Sequence, residues 1–117
     1  MKNSDIDSIE EDSRGVSIKG WAFFMRKAHY LYKTQILLSD GEKESILFPC
    51  CEIDDPEVSH AYPEIHFLRY IGFRCDILKK VLVPEVGYTL FLRFVDRVNG
   101  KVECDINTGK MIVVTGN

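Results

Sequence analysis

The sequence predicts an all-β fold, a two-sheet antiparallel β-sandwich of immunoglobulin-like or jelly-roll-like type with about seven strands. Two observations carry this prediction. Apolar and polar residues alternate with a period of two through most of the chain, which is typical of half-buried strands. Turn signals such as Asp40-Gly41 and Asn99-Gly100 separate the alternating stretches at short spacing, as in a sandwich built of hairpins. A chain of 117 residues is long enough for one such core.

Each alternating stretch defines one predicted strand. The strands begin near residues 15, 30, 45, 71, 88, 101 and 110, and a turn at Asn107-Thr108-Gly109 separates the last two. The fifth strand also has apolar residues on its second face, Phe91 and Val95, which predicts cover on both sides. The residues predicted to share one face of their strand are Val16, Ile18 and Ala22; Tyr30, Tyr32, Thr34, Ile36 and Leu38; Ile71, Phe73, Cys75 and Ile77; Tyr88, Leu90, Leu92 and Phe94; and Val102, Cys104 and Ile106.

The segment 54–73 interrupts this pattern and contains the one helical candidate. Asp54 or Asp55 suits a helix cap, and Pro56 suits the first helical position. Pro63 ends any helix at about residue 62. We therefore expect one short helical crossover near 55–62 that connects the two sheets. The expected domain organisation is a flexible acidic leader at 1–13 and a single β-sandwich domain at 14–115.

Charge and hydropathy exclude several function classes. The chain has a net charge of −3, and residues 1–12 hold five acids and Lys2, which sum to −4, so the rest carries about +1. A near-neutral body lacks the basic face that nucleic-acid binding needs. No apolar run approaches the ~20 residues that span a bilayer, and the N-terminus lacks the apolar core of a signal peptide. We therefore expect no nucleic-acid partner, no membrane insertion and a cytoplasmic location.

Metal and nucleophile chemistry have candidate residues but no matching motif. The acidic and histidine side chains of 54–66 match neither a calcium-binding loop nor an H-E-x-x-H helix. Cys50 or Cys51 could pair with His60 or His66, yet no organising turn surrounds them. The four cysteines include no C-x-x-C pair for zinc, and without an export signal we expect them to be reduced thiols. The sequence predicts no catalytic residue, no metal and no cofactor, so the chain is not expected to be an enzyme.

Aromatic side chains provide the candidate ligand-binding residues. Trp21, Tyr30, Tyr32 and Tyr70 can stack on the apolar face of a sugar ring, with polar neighbours such as Asp76 holding its hydroxyls. Large aromatics also dominate the cores of sandwich domains. Trp21 is therefore also a core candidate, and Tyr30 and Tyr32 fit a core position or an exposed platform equally well.

Three motifs together resemble a known kind of module. They are Lys19-Gly20-Trp21-Ala22-Phe23, the hairpin signal Ser39-Asp40-Gly41, and a segment from Asp55-Pro56 through Tyr62-Pro63 to Gly72-Phe73. This pattern is similar to a β-sandwich module fused to bacterial glycosyltransferases and related cell-surface polysaccharide enzymes. The resemblance covers residues 15–114. It implies an accessory domain that accompanies a catalytic domain and performs no chemistry itself.

These observations lead to three functional hypotheses. The first is a non-catalytic accessory module that binds glycan through Trp21, Tyr30, Tyr32 or Tyr70, beside surface-polysaccharide enzymes. The second is a protein-interaction or spacer module of the same fold, which holds a catalytic partner domain or forms a homodimer through an edge strand. The third is a small enzyme or metal-dependent factor centred on His60 and His66.

Overall fold

The structure is a computed structural model, and it describes residues 4–22, 32–41, 45–53, 60 and 72–115. Eight strands and one short turn of 3-10 helix, Lys79–Val81, make up the regular structure of these residues. The strands are β1 (Ser4–Glu11), β2 (Gly15–Ala22), β3 (Tyr32–Ser39), β4 (Ser45–Pro49), β5 (Cys51–Ile53), β6 (Gly72–Leu78), β7 (Tyr88–Asp96) and β8 (Val102–Ile112).

The strands form two antiparallel four-stranded sheets, which confirms the predicted two-sheet sandwich. Sheet A has the strand order β1-β2-β6-β5, and sheet B has the order β4-β3-β7-β8. Strands β1 to β8 correspond in chain order to the immunoglobulin strands A, B, C, C′, D, E, F and G. With these letters, sheet A has the order ABED and sheet B has the order C′CFG. That arrangement is immunoglobulin-like, so the structure selects this alternative over a jelly roll.

The core lies between the sheets and is built from the predicted strand faces. β2, β3, β6 and β7 each contribute a row of every-second residues that is buried, as the period of two predicts. Val95 is also buried, which confirms partial cover on the second face of β7. The most deeply buried members of the core are Ile18, Ala22, Tyr32, Ile36, Leu38, Phe73, Leu90, Leu92, Phe94 and Val114.

Residues 4–11, which the sequence predicts to belong to a flexible leader, form the strand β1 instead. This strand pairs with β2 along its whole length. The leader prediction failed because Ile6 and Ile9 are three residues apart and therefore fall on opposite faces of a regular strand. A register shift between Ile6 and Ser8 places one extra residue there, and both isoleucines pack against the core. Because of this bulge, the apolar residues of β1 do not alternate with a period of two, and the sequence pattern does not predict a strand here.

Two further differences concern β5 and β8. The chain leaves sheet B at Pro49 and enters sheet A at Cys51, so the predicted strand from Ser45 to Cys50 is β4, and the short strand β5 that follows it was not predicted. The predicted turn at Asn107-Thr108-Gly109 is a bulge inside one long strand, because Thr89 pairs with Met111 while Phe91 pairs with Asn107. Gly109 has a φ of 75°, which the bulge requires.

The register also shifts between Phe94 and Val95, and this second irregularity corrects the predicted position of Val102. Val102 pairs with Val95 and is half exposed, whereas Cys104 and Ile106 pack against the core as predicted. The Asn99-Gly100 turn is confirmed, since Gly100 has a φ of 73° and the Asp96 amide donates to the Lys101 carbonyl.

The predicted helical crossover near 55–62 lies outside the described residues, apart from His60, which is exposed. Among the residues that the structure describes, no helix has the length and apolar character needed to cross a membrane.

Candidate functional site

The outer surface of sheet A carries a polar face, defined here as the outward side chains Ser17 and Lys19 of β2 and Arg74 and Asp76 of β6. Antiparallel pairing of β2 with β6 sets Ser17 beside Asp76 and Lys19 beside Arg74. The alternating partners on the same strands, such as Ile18 and Cys75, are buried in the core. The polar face is therefore fixed by the same alternation that builds the core.

Arg74 and Asp76 form an ion pair within the polar face. The Arg74 Nε donates to both carboxylate oxygens of Asp76 at 3.2 and 3.1 Å. The hydroxyl of Ser17 and the guanidinium of Arg74 lower the pKa of the Asp76 carboxyl below its ordinary value. Asp76 is thus ionised at neutral pH, and both side chains of the pair remain open to solvent.

The β1–β2 turn extends the polar face into a cleft. Asp12 Oδ1 accepts hydrogen bonds from the backbone amides of Arg14 and Gly15 at 2.7 and 3.0 Å, which closes the turn and lowers the pKa of Asp12. This turn places Arg14 beside Ser17 and Asp76. The resulting cleft has a volume of about 300 Å³, and its polar lining residues are Asp12, Arg14, Ser17, Arg74 and Asp76.

The structure separates the four predicted stacking residues. Tyr32 is 1% exposed and belongs to the core, so its ring offers no open face to a sugar. Trp21 is 9% exposed and therefore buried, although it lies on β2 in line with Ser17 and Lys19 and is not part of the main core cluster. Tyr30 and Tyr70 fall outside the described residues, so their stacking role stays a prediction.

The cysteines are free thiols in different environments. Cys75 is buried, Cys50 and Cys104 are half-buried against the core, and Cys51 is exposed. Contact with the Cys75 thiol and burial both raise the pKa of Cys50.

The candidate metal ligands of 54–66 lie outside the described residues, apart from the exposed His60. Within the described ranges, histidine, cysteine and acidic side chains form no group of three able to hold a metal ion.

The outer surface of sheet B has a different character. Leu47 of β4, Leu37 of β3 and Phe91 of β7 lie side by side across three strands, and we call these three residues the apolar row. Leu47 is 43% exposed, and the other two are half-buried. Next to this row, Arg93 donates to both oxygens of Asp105 at 2.8 and 3.0 Å. The opposite charges of Arg93 and Asp105 cancel, so the pair adds no net charge to this surface.

Sequence reasoning identified the outward positions but not their grouping. The alternation of β6 marks Arg74 and Asp76 as outward-facing, and β2 does the same for Lys19. The pairing of β2 with β6 joins residues more than fifty positions apart, and no local signal specifies that pairing. Arg14 and Asp12 were missed because the turn that presents them follows β1, which the alternation did not reveal.

Comparison with known proteins adds no assignment. No family model matches the sequence, and neither the curated proteins nor the solved structures show a significant match.

Proposed function

We propose that the protein is a non-catalytic β-sandwich module that binds glycan on the polar face and acts beside surface-polysaccharide enzymes. The observation that supports this proposal is the cleft of about 300 Å³ beside the Arg74–Asp76 pair. It combines the carboxylates of Asp12 and Asp76 with the guanidinium groups of Arg14 and Arg74. These groups donate to and accept from the many hydroxyls of a sugar.

The Arg74–Asp76 pair suits a weak and reversible carbohydrate contact. Each partner holds the other in place before a ligand arrives, so less side-chain entropy is lost on binding. Arginine has five N–H donors, and its contact with Asp76 uses the Nε group, so further donors remain for sugar oxygens. Both side chains are exposed, so water competes for the same groups and the affinity is modest.

The proposal predicts that binding is lost when the pair is broken. We expect the wild-type protein to bind members of a glycan array, and titration of the bound oligosaccharide to shift amide resonances of β2 and β6. Arg74→Gln and Asp76→Asn are each expected to weaken this binding about 5- to 10-fold, because each removes a charge-assisted hydrogen-bonding group.

Arg93→Gln is the matched control for this experiment. It breaks the equivalent arginine–aspartate pair on the outer surface of sheet B, so it reports the effect of losing such a pair away from the polar face. Equal weakening by Arg93→Gln and Arg74→Gln would place the glycan elsewhere. A wild-type protein that binds no glycan on the array would reject the proposed function.

A second candidate function, self-association, is favoured by the apolar row. A sheet surface with four strands at about 4.8 Å spacing and eight residues at about 3.3 Å rise measures about 500 Å². That is less than the ~800 Å² per partner of a standard interface, so we expect a weak dimer with a second copy of the chain. The neighbouring Arg93–Asp105 pair brings no net charge into such a contact.

The strand edges favour this surface over the predicted edge-strand contact. Edge strands β1 and β8 contain register shifts, β5 has three residues, and β4 ends in Pro49. Bulges, short strands and proline all oppose the addition of another strand. Pairing through an edge stays a prediction, and the apolar row provides the more open surface.

Self-association predicts a concentration-dependent sedimentation coefficient that depends on Leu47. Leu47→Glu is expected to weaken the dimer more than about tenfold, because it buries an unpaired charge in the contact. Val98→Glu is the control, since Val98 is exposed in the β7–β8 turn away from the apolar row. A sedimentation coefficient that stays monomeric up to millimolar protein would exclude this function.

A further inference from the structure

The end of the sandwich next to the β1–β2 turn holds a second cleft, which we call the end cleft. Its volume is about 610 Å³, twice that of the cleft on the polar face. Residues from three parts of the chain line it: the β1–β2 turn, the segment from β6 to β7, and the chain after β8. We propose that the end cleft binds a small anionic amphiphile, a carboxylate or phosphate group attached to an aliphatic chain.

The apolar part of the end cleft would hold the aliphatic chain. Leu82 and Val114 are core residues that form its inner wall, and Leu78 and Pro84 complete the apolar lining. Leu78 is 53% exposed, so this wall continues to the surface. A pocket of this size falls within the 300–1,000 Å³ range of small-molecule sites, which are mainly apolar with a few charged groups.

Three cations, Arg14, Lys79 and Lys80, stand along the same cleft. Lys79 already forms an ion pair within the protein, because its Nζ lies 2.8 Å from Glu11 Oε2. Glu11 also accepts a hydrogen bond from the Thr115 hydroxyl at 2.8 Å. The hydrogen bonds from Lys79 and Thr115 lower the pKa of Glu11, so this carboxylate stays ionised and remains bound to Lys79 at neutral pH.

Lys80, which lines the end cleft alone, and Arg14, which lines both clefts, are the cations that remain for a ligand. Within the described ranges, neither side chain forms an ion pair with a carboxylate, whereas Arg74, Lys79, Arg93 and Arg97 all do. Two cations beside an apolar wall favour a ligand that carries both an anionic group and a chain. A neutral apolar ligand would leave the cations without a partner, and a small inorganic anion would leave the wall exposed to water.

Two exposed apolar residues flank the lining residue Leu82 in the sequence. Val81 is 44% exposed and Val83 is 58% exposed. Together with Leu78, they place three large exposed aliphatic residues in the segment that lines the end cleft.

A set of three probes separates the two parts of the proposal. Octanoate has the charge and the chain, octanol has only the chain, and acetate has only the charge. We expect amide resonances of residues 78–84 and 113–115 to shift on titration with octanoate. Octanol is expected to bind about 3- to 10-fold more weakly, and acetate at least about 100-fold more weakly. Equal affinity for octanoate and octanol, or no shift with octanoate, would overturn the proposal.

Lys80→Gln tests the site, because Lys80 lines the end cleft and not the cleft on the polar face. It is expected to weaken octanoate binding about 3- to 10-fold and to leave octanol binding unchanged. Lys101→Gln, in the β7–β8 turn, makes the same charge change away from the cleft and is expected to change neither. If Lys80→Gln and Lys101→Gln weaken octanoate binding equally, the effect comes from the overall charge of the protein, and the proposed site is rejected.

The anion can come from a free fatty-acid carboxylate or from a lipid headgroup, and vesicles distinguish these sources. Sedimentation with phosphatidylglycerol vesicles but not with phosphatidylcholine vesicles, reduced by Lys80→Gln, would place the ligand in a bilayer. Octanoate binding without sedimentation would assign the site to a free amphiphile. Absence of octanoate binding would reject the proposal whatever the vesicles show, without affecting the glycan hypothesis, which concerns the polar face.

Discussion

Replacing Phe73 with alanine is expected to lower the free energy of unfolding by about 3–5 kcal/mol, the range for truncating a buried phenylalanine. Phe73 is 1% exposed and faces the core from β6, in the middle of sheet A. Its backbone pairs with Gly20 of β2 on one side and with Glu52 of β5 on the other. Strands on both sides hold its position, so the structure cannot collapse easily into the space left by the ring.

Equilibrium denaturation in urea, followed by circular dichroism, measures this loss. A domain of this size is stable by about 5–15 kcal/mol, so the variant should unfold at a much lower urea concentration. Phe91→Ala provides a control, since Phe91 is half-buried on the outer surface of sheet B. This variant is expected to lose less free energy of unfolding than Phe73→Ala. A loss at Phe73 of about 1 kcal/mol or smaller would show that its ring is not part of a tightly packed core.

The structure shows why most of the core could be predicted from the sequence. In β2, β3, β6 and β7 the inward residues follow every second position without interruption, so a local pattern reports the buried face directly. The pattern failed where the backbone departs from a regular strand. Ile6 and Ile9 on the two sides of the β1 bulge, and Gly109 in the β8 bulge, belong to segments that local alternation assigns to a loose end and a turn.

The candidate sites were less predictable because they depend on which strands become neighbours. Ser17 and Asp76 come together through the pairing of β2 with β6, and Arg14 and Lys80 through the meeting of a turn and a loop at one end of the sandwich. Neither arrangement follows from the residues close in sequence. The aromatic residues suggested sugar stacking from their chemistry alone, and the structure places Tyr32 in the core instead.

Gly20→Ala is expected to lower the free energy of unfolding by at least about 1–3 kcal/mol, although it adds only one methyl group. Gly20 lies on β2, which is flanked by β1 and β6. It pairs with Ile6 of β1 on one side and with Phe73 of β6 on the other. An alanine Cβ at this position would overlap the backbone carbonyl oxygen of Asp5 and would lie 2.8 Å from the Cζ of the Phe73 ring. The φ of Gly20 is not in the left-handed region, so the expected loss comes from contact and not from backbone strain.

A double-mutant cycle separates the two contacts of the added methyl group. Phe73→Leu removes the ring atom nearest to it, while the Asp5 carbonyl stays in place because it belongs to the backbone of β1. We expect Gly20→Ala to remain destabilising in the Phe73→Leu background, since β1 must still move away from β2. If the destabilisation disappears in that background, the ring and not the strand spacing is what makes glycine necessary at residue 20.

Gly87→Ala is the matched control for this prediction. An alanine Cβ at Gly87 would come within 2.7 Å of the Met111 Cε, the end of a flexible and exposed side chain that can turn away. The substitution also restricts the unfolded chain, which stabilises a protein when the folded backbone accepts alanine. Gly87→Ala is therefore expected to be neutral or slightly stabilising in the same urea titration. A similar loss at Gly87 and Gly20 would contradict the view that the close approach of β1 to β2 requires glycine, because of these two glycines Gly20 alone meets a neighbouring backbone.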